Sequence, residues 1–578
     1  TDAGVAKYKA FAHDAAELVA RYEGSLSGEH GDGQSRAELL PIMFGPELVQ
    51  AFGEFKSIWD PDHKMNPGKV VDPNPIDADL RLGGDYDPVD PATHFKYPDD
   101  GGSFAHATLR CVGIGRCRRP DGKANPEQDV MCPSFMVTRE ERHTTRGRAH
   151  LLHEMLVQNK PTPIDGGWRD ENVKEALDLC LSCKGCKGDC PVNVDIATYK
   201  AEFLSHYYEG RLRPRSAYAY GFVDRWARLA SLAPGLVNLA TQLPGVNVLA
   251  KVAAGMPLAR RIPAFAPQTF RAWFDERPRK NAGAPRVVLW ADTFNNYFHP
   301  EVARDAVEVL EASGYEVVVP RGHLCCGRPL YDYGFVPTAK RYLERVLAAL
   351  APHLEARTPI VVLEPSCASV FRDEAKGLFP ERDDARRLGR QALLLSEFLA
   401  APSTAWQPPR LERKAIAQGH CHHKSIMRFK DEQLVLEKMG LDVELLPSGC
   451  CGMAGSFGFE AGDKHRVSVA EGERVLLPAV RYADESTLVL ANGFSCKTQI
   501  EQGTHRRALH LAEVIAMAMR HGPAGPDRRA LPERRVVAMR NADVALSMLR
   551  AGAVALASVG AIWLSRRAPA RRARRRLF

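Results

Sequence analysis

Cys180-Leu-Ser-Cys183-Lys-Gly-Cys186-Lys-Gly-Asp-Cys190-Pro191 decides how the rest of the chain is read. Three thiols recur at every third position, and a fourth follows with Pro behind it. A zinc site uses two such cysteines and a distant second pair. Three thiolates in one tight loop, then Cys-Pro, is the run that holds iron–sulfur clusters, its fourth Cys serving the other cluster of a pair. A disulfide framework fits poorly, because the chain is long and nothing in it marks secretion.

A partner cluster is therefore expected. Cys111 and Cys117 are followed by Cys132-Pro133. By the crossing rule Cys132 completes the set of Cys180, Cys183 and Cys186, and Cys190 joins Cys111 and Cys117. The second set is then one thiolate short. A [3Fe-4S] cluster, a ligand such as Asp129 or His106, or a remote Cys would each account for it. The alternative is one [4Fe-4S] cluster, with Cys111 and Cys117 as spectators. Helices are expected at Glu171–Leu179, near Arg146–Leu156, and from Ile196 to about Tyr208 behind an Asp195 cap.

Residues 285–500 contain a duplication. VLEASGYEVVVP (309–320) matches VLEKMGLDVELLP (435–447), and each precedes Cys-Cys-Gly, at Cys325-Cys326-Gly327 and Cys450-Cys451-Gly452. PIVVLEPSC, ending at Cys367, matches TLVLANGFSC, ending at Cys496. Each copy reads as an α/β unit with cysteines at strand ends. The copies are not equal in their cysteines. The second has Cys421 after its first strand, where the first has Asp292. Adjacent thiols are prone to oxidation, so seven at repeated strand ends point to a redox or cluster site.

This tandem resembles the CCG domains of the heterodisulfide reductase and glycolate oxidase iron–sulfur subunits. At the other end, Glu29-His30-Gly31 and Asn66-Pro67-Gly68-Lys69 resemble the C-terminal end of FAD-linked oxidases of the vanillyl-alcohol-oxidase type. That resemblance implies that Glu29 ligands a divalent metal and that His30 sits at the flavin, taking the substrate hydroxyl proton. It also implies a cofactor-facing role for Asn66, Gly68 and Lys69, and an FAD-binding half ahead of residue 1 or on a separate subunit. The order of all these motifs resembles the fused flavin and iron–sulfur dehydrogenases of D-2-hydroxy acids. The expected fold is α+β multidomain: a C-terminal piece of a flavin-oxidase substrate domain, an α-helical two-cluster ferredoxin module and tandem α/β CCG repeats. The expected divisions are 1–75 (oxidase piece), 76–105 (linker), 106–215 (ferredoxin domain), 216–284 (helical connector), 285–402 and 403–520 (CCG repeats), and 521–578 (basic tail with a membrane anchor).

The resemblance implies FAD and [4Fe-4S] cofactors. It implies oxidation of D-lactate, D-2-hydroxyglutarate or glycolate to the 2-oxo acid, with electrons passing to a quinone or cytochrome. A thiol–disulfide redox protein and a zinc-stabilised scaffold are the rival readings. No P-loop is present, and Gly113-Ile-Gly115 lacks the third glycine of a dinucleotide fingerprint, so NAD is not expected.

The 578 residues suggest three or four domains at roughly 100–200 residues each. Hydrophobic content is 45%, charged content 26% and net charge +8. Seven Arg lie in residues 565–578, so the body is nearly neutral and no nucleic-acid partner is expected. Residues 551–564 carry no charge, whereas a span needs about 20 residues. An anchor on the inner face of the cytoplasmic membrane and a disordered basic tail are both open. Leu229, Leu232, Leu236 and Leu239 can form one helical face, read as core packing against the ferredoxin module.

Overall fold

The computed structural model describes the chain except residues 81, 85, 120–124, 126–128, 158–161, 405, 527–530 and 575–578, and the side chains of 560, 561 and 564–574. Two compact units are present: Thr1–Val89 with Leu156–Pro163, and Asp90–Met155 with Ile164–Phe578.

The first unit carries the helices Asp2–Arg21 and Leu40–Trp59. Thr1 caps the first by accepting from the Gly4 N–H. The second bends at Gly45 (φ 77°), just before Pro46. Tyr8, Phe11, Leu18 and Tyr22, which recur at helical spacing on the first helix, are turned largely to solvent. Phe11, Leu18 and Tyr22 are each more than half exposed, while Ala16 is buried. So short a unit has too little chain to cover both helices.

In the second unit the sequence-expected helices form at Thr145–Leu156, Glu171–Asp178 and Ile196–Tyr207. Asp170 and Asp195 cap the last two with their carboxylates. Residues 76–105 read as a linker, yet the later part is held firmly. Glu202 accepts the N–H groups of His94 and Phe95 at 2.8 and 2.9 Å, and Lys96 N donates to Gly377 O at 2.8 Å. Phe95 and Phe104 are buried. The connector folds as helices Arg215–Gly221, Val223–Ala230, Pro234–Gln242 and Val246–Ala254.

The duplication becomes two parallel sheets of matching order. In the first, β1 (Arg286–Trp290) lies between β2 (Glu316–Val318) and β3 (Ile360–Val362), with β4 (Ala392–Leu394) outside β3. In the second, β5 (Lys414–Ala417) lies between β6 (Asp442–Leu445) and β7 (Leu488–Leu490). A parallel bridge from Leu490 to Leu509 stands where β4 stands in the first sheet. Parallel strands are buried on both faces, which explains the continuous apolar runs of β1, β3 and β7. One apolar cluster joins both sheets through Val287, Leu289, Val361, Leu395, Ala415, Leu488, Leu490 and Ile515.

The chain closes with the helix Arg534–Arg574. Its stretch Arg534–Val559 is long and apolar enough to cross a membrane. Within the basic tail, the side chains from 564 to 574 and all of 575–578 lie outside the described residues.

Candidate metal centres

The seven α/β cysteines all sit beyond the C-terminal ends of strands, where open α/β sheets place their sites. Cys325-Cys326 follow β2 and Cys450-Cys451 follow β6. Cys367 and Cys496 lie in the helices Pro365–Ser369 and Phe494–Gly503, which follow β3 and β7. The glycine of each Cys-Cys-Gly is left-handed, at φ 81° for Gly327 and 85° for Gly452. A Cβ on Gly452 would lie 2.3 Å from Ser468 O, so no larger residue fits that turn.

In the second α/β unit four buried thiols form one chain. Cys450 hydrogen bonds with Cys421 and Cys451, and Cys451 with Cys496. Bonds from Cys450 and then Cys496 hold the Cys451 thiol well below its ordinary value. Cys450 and Cys496 are pushed up in turn. The Gly452 N–H donates to Cys450 Sγ at 3.4 Å. Four such thiols cannot all ionise without a cation among them, and a cluster supplies it. The set therefore fits a [4Fe-4S] cluster. The ligand atoms of His420, Cys421 and His422 also lie within 4.8 Å of one another. Burial keeps His420 neutral, with a pKa of about 4.

The first α/β unit is different. Cys326 and Cys367 approach to 3.0 Å, and Cys325 hydrogen bonds with Cys326. Asp292 stands at the position of Cys421, but it is already committed. It accepts from Phe294 N, Asn295 N and Asn295 Nδ2 at 2.8–2.9 Å, capping its own helix. Three thiols converge there without a fourth from the equivalent position.

In the helical module, Cys132 accepts from Thr145 N at 3.0 Å and pairs with Cys117. The Cys132 contact brings the Cys117 thiol down to about 6. The segment before Cys132 is clamped on the other loop. Asp189 accepts the N–H groups of Val130 and Met131 at 2.6 and 3.0 Å, and a Cβ on Gly185 would lie 2.6 Å from Met131 N. Cys132 thus meets Cys117, which the sequence reading put in the other set, while the two residues before it are held on the Cys180–Cys190 loop. Asp129 sits against Arg119 and Arg116, at 3.3 and 3.6 Å, and His106 is exposed. The helix Gly185–Asp189 ends where Cys190 N donates to Cys186 O.

The loop Cys180–Cys186 docks on both α/β units. Ser182 O accepts from Arg328 Nη2 at 2.9 Å, and His422 Nε2 lies 3.0 Å from it. Arg328 directly follows Cys325-Cys326-Gly327, and His422 directly follows Cys421. Cys183 shares one apolar cluster with Cys421 and Cys450. Lys184, fully buried, reaches Asp195, Asp373 and Glu374 at 2.9, 2.7 and 3.4 Å. Sequence reasoning did not find Ser182, Lys184 or Arg328 as site residues. The CCG-Arg and Cys-Lys-Gly neighbourhoods were the only signals for them.

The oxidase-type motifs lie in the first compact unit. Lys69 Nζ donates to Gln34 Oε1 at 2.5 Å, tying the Asn66–Lys69 turn to the loop after His30. Asn66 and Gly68 both have positive φ, 46° and 71°. Glu29 and His30 face each other at 3.5 Å, with side chains 87% and 80% exposed. These two side chains alone do not make an enclosed metal site.

Three family models match the chain. "FAD linked oxidases, C-terminal domain" matches residues 1–70, "4Fe-4S dicluster domain" matches 107–194, and the CCG "Cysteine-rich domain" matches 292–372. A D-2-hydroxyglutarate dehydrogenase of Pseudomonas putida is 28% identical over 549 residues, covering 86% of this chain and 52% of that protein. A D-2-hydroxyglutarate dehydrogenase of Escherichia coli is 27% identical over 566 residues, covering 88% of this chain and 53% of that protein. Lactate utilization protein A 2 of Bacillus cereus is 28% identical over 249 residues, covering 40% of this chain and 99% of that protein. The chain spans about half the length of the dehydrogenase relatives it matches.

Proposed function

From a chain that carries an FAD-linked-oxidase C-terminal domain, a 4Fe-4S dicluster domain and a CCG domain in that order, we propose an electron relay serving the oxidation of a D-2-hydroxy acid. D-2-hydroxyglutarate is the first substrate, by similarity to the dehydrogenases named above, with D-lactate and glycolate next. The product is the 2-oxo acid. Bound FAD supplies the two-electron acceptor chemistry. In this reading His30 accepts the substrate hydroxyl proton and Glu29 contributes to a divalent metal site, with Asn66, Gly68 and Lys69 shaping the turn beside them.

The carrying observation is the packing of Cys183 against Cys421 in one apolar cluster. A relay needs its centres close and water excluded between them, and a buried apolar cluster that holds both cysteines supports that reading. Cys111, Cys117, Cys132, Cys180, Cys183, Cys186 and Cys190 hold the ferredoxin-type clusters. Cys421, Cys450, Cys451 and Cys496 hold one more. Electrons then leave to a quinone or cytochrome at the inner face of the cytoplasmic membrane.

Iron and acid-labile sulfide per chain, measured on protein purified without oxygen, test this directly. About eleven or twelve of each supports all three centres, and about seven or eight supports the ferredoxin-type pair alone. Zinc without sulfide overturns the relay. Bleaching of cluster absorbance by D-2-hydroxyglutarate in the flavin-loaded enzyme, compared with D-lactate and glycolate, ranks the substrates.

A further inference from the structure

The connector helices and the C-terminal helix share a charge bias that neither sequence position explains alone. Residues 225–274 hold six basic residues and no acidic one. Residues 544–578 hold eight Arg and no acidic one. The fold brings these two distant stretches together. Gly235, in the helix Pro234–Gln242, sits directly on the C-terminal helix, where a Cβ would lie 2.4 Å from Ser547 O and 2.9 Å from Ala551 Cβ. Such an approach is possible only with small residues on both sides.

Around this contact the apolar side chains point outward. Leu232 is 81% exposed, Leu249 77%, Leu549 72% and Leu556 76%, with Leu236 and Val554 beside them in sequence and also exposed. Scattered exposed leucines are ordinary, but many of them on helices that pack directly on one another mark an interaction surface. The leucine face read from the sequence as core packing is open at Leu229, Leu232 and Leu236.

We propose that these two segments form one surface that lies on an anionic lipid bilayer. Charge complementarity selects this occupant. Anionic headgroups attract the exposed Arg225, Arg228 and Arg261, and the sequence 565–578 adds seven Arg and no acidic residue. Length and docking set the mode. The C-terminal helix is tied to the body through Arg540, which pairs with Glu501 and meets His299 at 3.3 Å. The stretch Arg534–Val559 has the length and mean composition of a span but carries Arg534, Arg535, Arg540, Asp543 and Arg550, and the uncharged stretch 551–564 runs only about 21 Å at 1.5 Å per residue, short of the roughly 30 Å hydrocarbon core. A helix held at one end and followed by arginines lies in the interface plane. The surface docks the chain beside membrane-borne electron acceptors, but its existence does not depend on the relay.

Flotation of the full chain with phosphatidylcholine vesicles, with and without phosphatidylglycerol, tests the proposal. Wild type is expected to float with the anionic vesicles and to lose at least about tenfold in partition without phosphatidylglycerol or in high salt. The triple variant L232S/L236S/L249S, with the arginine tail intact, is expected to lose about tenfold as well. A chain ending at Arg550 is expected to lose as much. Melting temperature and iron content confirm that the variants fold. Partition of the triple variant equal to wild type overturns the two-part surface and leaves the tail as sole anchor. So does a wild type that never floats, whether it stays monomeric or forms a concentration-dependent dimer that the triple variant abolishes.

Discussion

Cys183, in the ferredoxin-type loop, packs with Cys421, the first cysteine of the second α/β unit, in one apolar cluster with Leu181, Cys450 and Phe457. Ser182 O accepts from Arg328 Nη2 of the first α/β unit and lies 3.0 Å from His422 Nε2 of the second.

That contact predicts a linked response. Cys421→Ser is expected to remove about four irons and the matching sulfide, and to sharpen the paramagnetic signal of the reduced ferredoxin-type cluster next to it. Metal analysis and electron paramagnetic resonance on the same sample check this. Unchanged iron would remove Cys421 from the ligands.

The first α/β unit predicts the opposite outcome. Cys367→Ser is expected to leave iron unchanged, because Asp292 occupies the place of a fourth thiol and is spent on its own helix. Mild oxidation of the wild type is expected to join Cys326 to Cys367, whose sulfurs already stand at 3.0 Å. Peptide mapping by mass spectrometry detects the crosslink.

Gly188 lies where a Cβ would come 2.6 Å from Ser425 O and 2.8 Å from Ser425 Cα. Gly188→Ala must push the cysteine loop off the second α/β unit. The expected cost is about 1–3 kcal/mol in stability, with weakened magnetic coupling between the two centres. Equal spectra in variant and wild type would show that the loop tolerates the methyl.

Lys184 neutralises Asp195, Asp373 and Glu374 from a fully buried position. Lys184→Met removes the buried cation shared by all three carboxylates and leaves Asp195 and Asp373 to Lys187 and Glu374 to Arg328. A loss of about 3–5 kcal/mol is expected, and Asp373→Asn added to it should restore part. Thermal melts of the two variants decide.

Acid stability turns on Glu513. Burial alone would raise its pKa, but Arg507 and Lys497 outweigh that and hold it at about 2. The folded value lies below the unfolded one near 4.5. Stability from this carboxylate is therefore present above about 4.5 and is lost as pH falls toward 2, worth roughly 3 kcal/mol in full. Glu513→Gln is expected to lower stability at neutral pH and to flatten the acid limb of a stability–pH curve between those values. An unchanged acid limb would assign the acid sensitivity to other groups.

Local rules made much of this chain legible. Asp170 and Asp195 announced their helices because a cap is satisfied within three residues. The internal repeat announced the paired sheets because equal strings fold to equal units. The cysteine spacings announced the ligand loops because thiolate geometry fixes their separation. The exposure of Phe11 and Tyr22, or of Leu232 and Leu249, was not legible. A periodic face gives the direction of burial only when its partner is known, and periodicity carries no information about the partner.

By itself, then, the sequence determined which residues can ligate, where the elements start, and that the α/β unit occurs twice. Only the tertiary structure decided that Cys132 meets Cys117, that Cys183 meets Cys421, and that Gly235 seats the C-terminal helix. The first kind of fact depends on contacts a few residues long. The second depends on packing between segments hundreds of residues apart, which is set by the summed shape of all the surfaces buried together.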